Sequence, residues 1–185
     1  MALTLDGNGT MSVGNGDITG LSTGALEVGA IGSGVILQTQ TAVLNGYVTT
    51  TLNGAPDTIT NGYQVFSISF TPIRASSLII VQTSSIAISE ENNAADMCWL
   101  ALWNGSSFVA ANSGTWLYNH FTNNYNAAHL NINEQFLAGT TTTRTIQVRA
   151  GMNGGSSATY INGNSTSNYN SINAQVRMIV WEIAQ

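Results

Sequence analysis

Apolar and polar side chains alternate from Tyr63 to Phe70: Phe66, Ile68 and Phe70 share one parity, Ser67 and Ser69 the other. Successive side chains of a strand point to opposite faces, so the run predicts a half-buried antiparallel strand. Pro72 has no amide hydrogen for a ladder and should end it. Three later runs do not alternate: Leu78–Val81, Met97–Trp103 and Met178–Trp181 are apolar in succession, which predicts strands covered on both faces. A partner sheet covers one face. A neighbouring subunit is the favoured cover for the other, and Leu78, Ile80, Met178, Val180 and Trp181 are the expected subunit contacts.

The remaining pattern is of the same kind. Val35–Val43 and Tyr47–Leu52 read as strands joined by a hairpin-type turn at Asn45-Gly46. Asn104-Gly105 turns Met97–Trp103 into Ser107–Ala110. Arg144–Arg149 alternates around Ile146 and Val148, and a closing strand runs from about Ile172 to Ile183. No segment keeps helical periodicity over three turns. Eight to ten short strands between Asn-Gly and Ser-Gly turns predict an all-β antiparallel β-sandwich or jelly roll over residues 35–185.

Residues 1–34 differ. Seven glycines fall between Gly7 and Gly29, with few large apolar residues to build a core. The segment reads as an extended docking arm that orders on another surface. A calcium-binding repeat would need more copies and more acidic ligands. A phosphate loop would need a following helix.

Composition sharpens this picture. Only 7% of the 185 residues are charged, against roughly 25% in ordinary globular proteins. There is no lysine, and four arginines face nine acidic residues for a formal charge of −5. Nucleic-acid binding depends on neutralising phosphates, so none is expected. No apolar run approaches the ~20 residues of a membrane-spanning helix, so no membrane insertion is expected. Met1–Thr10 lacks the basic start and apolar core of a signal peptide. The expectation is synthesis in a cytoplasm, with exit only inside an assembly.

Short motifs carry a resemblance. Thr71-Pro-x-x-Ala-Ser-Ser-x-Ile79 and the closing Trp181-Glu-Ile-Ala184 resemble C-terminal modules of marine and cyanobacterial phage tail-fibre proteins. The opening Met-Ala-Leu-Thr-Leu and Asp17-Ile18-Thr19-Gly20-Leu21 resemble the N-termini of such virion proteins. Those modules are similar to the trimeric jelly rolls of the complement-globular and tumour-necrosis-factor class. The resemblance implies a homotrimer, host attachment or particle decoration, other virion proteins as partners through the arm, a virion location and no catalysis. It carries over no individual binding residue. The chain lacks the long shaft or folded adaptor usual in tail fibres, which leaves room for a capsid decoration (cement) trimer. A free carbohydrate-binding lectin is the reading from another class.

Candidate chemistry is sparse. Cys98 stands alone in an apolar run and reads as a core thiol. His120 and His129 lack metal-ligand spacing, so neither a metal nor a cofactor is expected. Glu90, Glu91 and Asp96 have the residue types of a glycosidase pair but read as a solvated loop. Trp116, Tyr118, His120 and Tyr125, interleaved with asparagines, are the candidate contacts for a host surface glycan. Aromatic faces stack on sugar rings while amides bind their hydroxyls. The competing reading makes Trp116 and Phe121 core or interface residues.

Overall fold

The computed structural model describes residues 4–5, 11–12, 33–50, 54–90, 97–115, 126–153, 159–163 and 175–185. Among them every regular element is a strand. Contacts divide the chain into two units, Met1–Gly32 and Ser33–Gln185. In the first, β1 (Thr4–Leu5) pairs antiparallel with β2 (Met11–Ser12).

The second unit holds β3 (Ile36–Asn45), β4 (Val48–Thr50), β5 (Tyr63–Phe70), β6 (Leu78–Thr83), β7 (Ile86–Glu90), β8 (Met97–Asn104) and β9 (Ser107–Thr115). These are followed by β10 (Asn126–Leu130), β11 (Asn133–Leu137), β12 (Arg144–Asn153), β13 (Thr159–Ile161) and β14 (Gln175–Ile183). Two sheets run in the orders β11-β6-β14-β3 and β10-β7-β13-β4. Their strands correspond one to one, and β3/β4, β6/β7 and β10/β11 are each parted by two residues, so the two sheets adjoin along a line. Gly46 on one strand and Asn162 on its neighbour lie on that line, both with left-handed backbone, φ 80° and 61°. Asn162 Nδ2 donates to Gly46 O at 2.9 Å, and Thr83 N donates to Ile132 O across the next pair at 2.9 Å.

Asn45-Gly46 is therefore a kink and not the expected hairpin. β3 pairs with β14 and β4 with β13, never with each other. The positive φ at Gly46 is open to glycine in a bend as in a turn, and here β14 pairs on one side of it and β13 on the other.

The opposing sheet has the order β5-β12-β8-β9, all antiparallel. Lettering corresponding strands together as A (β3/β4), B (β5), C (β6/β7), D (β8), E (β9), F (β10/β11), G (β12) and H (β13/β14) gives the orders A-H-C-F and B-G-D-E. This is the interleaved connectivity of an eight-stranded jelly roll. The expected fold class is thus the observed one.

The core lies between the sheets. Phe66, Ile68 and Phe70 of β5 meet Ile79, Val81, Met178 and Val180 of β6 and β14, with Leu100, Leu102, Ile146 and Val148 filling the centre. Cys98, the one cysteine of the sequence, is buried there and in no disulfide.

Candidate functional site

The expected second cover for the apolar runs resolves differently for each. In β8, Cys98, Leu100 and Leu102 face the core, while Trp99, Ala101 and Trp103 face outward and are still buried. They are covered by this chain itself. Ile59, in the segment between β4 and β5, packs on them. Trp99 Nε1 donates to Gly54 O at 2.8 Å, and Gly54 N donates to Met152 O at 3.0 Å. Arg149 clamps the far end of the segment, donating from Nε to Asn61 O at 2.9 Å and from Nη2 to Gly62 O at 2.7 Å. Burial lowers the Arg149 pKa. The indole of Trp99 needs glycine beneath it. A Cβ on Gly62 would lie 2.4 Å from the ring and one on Gly151 2.6 Å.

The outer face of β6 and β14 has no such cover among the described residues. In β14, Val176, Met178 and Val180 are buried in the domain core, while Ile179, Trp181 and Ile183 are half-buried on the outside. In β6, Ile79 and Val81 face in, and Leu78 and Ile80 face out. The expected subunit contacts therefore divide. Leu78, Ile80 and Trp181 lie on the outer face. Met178 and Val180, both 0% exposed, lie in the domain's own core and not on that face.

Register aligns the outward residues in rows across the sheet. Trp181 lies beside Ile80, and Ile183 between Leu78 and Ile36. Leu78 neighbours Leu137, which is 65% exposed. Polar residues mark the same parity: Gln175 and Arg177 precede Ile179 on β14, and Gln82 follows Ile80 on β6. Counting by two from them assigns both faces, a signal available in the sequence. At the kinked end a depression of about 320 Å³ is lined by Gln82, Thr83, Ser84, Arg177 and Ile179.

Glu182 breaks the apolar parity of β14. It follows Val180 on the inward side and is wholly buried. Its carboxylate accepts from Ile73 N at 2.9 Å, Arg74 N at 3.0 Å and Gln38 Nε2 at 2.6 Å. Burial pushes the carboxyl up, but these hydrogen bonds outweigh it and hold the group below the usual carboxylate range. Gln38 Nε2 also donates to Thr71 O at 2.7 Å. The turn after β5 and the closing strand, which carry two of the resembling motifs, are thereby joined.

Of the candidate glycan contacts, Trp116, Tyr118, His120 and Tyr125 lie outside the described residues, as do Glu91 and Asp96. His129 sits exposed on β10. Among the described residues no three His, Cys, Asp or Glu side chains gather into a metal-holding group.

The structure thus defines an all-β jelly-roll domain. No family model and no curated protein matches the chain. Among solved structures, the chain is similar to the VP2 subviral particle of infectious bursal disease virus, at 9% identity and a TM-score of 0.37 over 81% of this chain. It is also similar to dimeric latent PorU from Porphyromonas gingivalis, at 8% identity and a TM-score of 0.38 over 83% of this chain. The matched regions span 39% and 14% of those chains.

Proposed function

We propose that this chain is a non-catalytic bacteriophage virion protein, a short homotrimeric tail or head fibre for host attachment. Residues 1–34 dock it on other virion proteins. The observation that carries the reading is an asymmetry between the two sheets. The outer face of β8 is sealed by the chain's own segment 54–62, whereas the outer face of β6 and β14 offers rows of half-buried apolar side chains. Contiguous exposed apolar surface of this kind marks an association site. A β-sheet face placed about a three-fold axis lets each copy bury it against two others. The three-fold count itself comes from the motif resemblance at Thr71–Ile79 and Trp181–Ala184.

The test is the native mass of the full chain, beside that of an Ile80→Asp variant. A trimer that the substitution dissociates without unfolding supports the reading. A folded monomer from the unaltered chain would overturn it in favour of a free lectin. Copy number on purified particles separates a fibre, present in tens, from a decoration protein, present in hundreds.

A further inference from the structure

We propose that the depression between Phe108 and the segment 54–62 is a saccharide-binding site that takes a single pyranose ring. Phe108, on β9, is 48% exposed, although it is large and apolar. Its ring is held by Trp103 in an edge-on contact, centroids 5.5 Å apart and planes at 79°. Phe108 lines the depression together with Pro56 and Asp57; it is shallow and open, with a volume of about 280 Å³. Sites for drug-sized ligands run to ~300–1,000 Å³, so this one suits a ligand of ring size.

The wall opposite Phe108 is fixed before any ligand arrives. Trp99 Nε1 holds Gly54 O, Asn61 Nδ2 holds Ala55 O at 2.9 Å, and Arg149 holds Asn61 O and Gly62 O. Pro56 and Asp57 sit inside this pinned span. A preformed wall spares the ordering cost that weakens binding by loose loops.

The chemistry selects the ligand class. Phe108 and Pro56 supply an aromatic and aliphatic surface for the C–H face of a sugar ring. Asp57, exposed at the rim, accepts hydrogen bonds from hydroxyls, and Thr58 Oγ1 steadies its Oδ1 at 3.3 Å. Trp103, 3% exposed, supports the Phe108 ring from behind and is not part of the lining. The Asp57 carboxylate would also attract a cation, so a lysine derivative is the competing probe. The site's use in host recognition rests on the attachment reading above; binding itself does not.

Saturation-transfer NMR on the full chain tests it, with methyl pyranosides of glucose, galactose and mannose as probes and N-acetyl-lysine methylamide as the competing cation. The expected result is saturation of the ring C–H protons of at least one pyranoside, and a shift of the Phe108 ring resonances. Phe108→Ala should weaken binding about tenfold, while Phe108→Tyr, which keeps the stacking surface, retains it. Asp57→Asn, at an exposed position, provides a second folded variant with reduced affinity. Absence of saturation by every pyranoside would overturn the proposal, as would undiminished binding by Phe108→Ala. Saturation of the lysine derivative alone would overturn the ligand class. A chain that is trimeric on the virion yet binds no pyranoside would sink this site and leave the fibre reading standing.

Discussion

Both carboxylate oxygens of Glu182 lie 2.9 Å from the backbone nitrogen of Ile73, across 109 positions of chain. The contact ties the closing strand to the turn that leaves β5. It places a buried charge where neutral packing would be expected, so the donors around it decide its worth.

Replacing Glu182 by Gln keeps the shape and removes the charge. Hydrogen bonds to charged groups contribute about 1.5–3 kcal/mol, so a loss of that order is expected in denaturant unfolding. The pH dependence has a definite sign. The folded carboxyl titrates below its unfolded value of about 4.3, so its stabilisation is fully present above that pH and is lost as pH falls through the folded pKa. The native protein should therefore lose thermal stability on acidification below about pH 4.3, and Glu182→Gln should flatten that limb. An unchanged acid limb would show that other carboxylates govern it.

Gly62→Ala should destabilise the domain by about 1–3 kcal/mol from overpacking alone. Its φ of +68° adds backbone strain, and its Cβ would strike the Trp99 ring and Ala150 O. Trp99→Phe opens the same segment from the other side by removing the bond to Gly54 O. Faster hydrogen exchange at the Gly54 amide is the readout, since that amide donates to Met152 O.

The two parities of β14 should behave oppositely. Met178→Ala is expected to cost about 2–5 kcal/mol and to leave the subunit count unchanged, because Met178 is wholly inside. Val180→Asp should prevent folding for the same reason. Ile80→Asp and Trp181→Asp, on the outer face, should leave the unfolding midpoint of the isolated subunit nearly intact while lowering the native mass. Sedimentation beside chemical denaturation separates the two outcomes.

Deleting residues 1–30 should leave the jelly roll folded, since Ser33–Gln185 forms its own compact unit. The deletion is expected to abolish incorporation into particles, measured by co-sedimentation with purified virions. Incorporation at the normal level would remove the docking role of the arm.

Much of this protein was legible in its sequence, for a physical reason. A strand's side chains alternate by rigid geometry, so Phe66, Ile68 and Phe70 announce an inward face without reference to anything distant. Turn chemistry is equally local, and Asn104-Gly105 does join β8 to β9 as the pattern indicates. These rules, summed over a chain with few charges and no helical period, determine an all-β sandwich. Tertiary structure decided the rest. Asn45-Gly46 has the chemistry of a hairpin, yet is a kink, with β14 pairing on one side of it and β13 on the other. Met97–Trp103 and Met178–Trp181 are both continuously apolar, yet Ile59 and its segment seal the first while the outer face of the second keeps its rows of Ile179, Trp181 and Ile183. An apolar run says that water should leave both faces. Which surface displaces the water depends on segments tens of residues away, and that is a property of the folded chain alone.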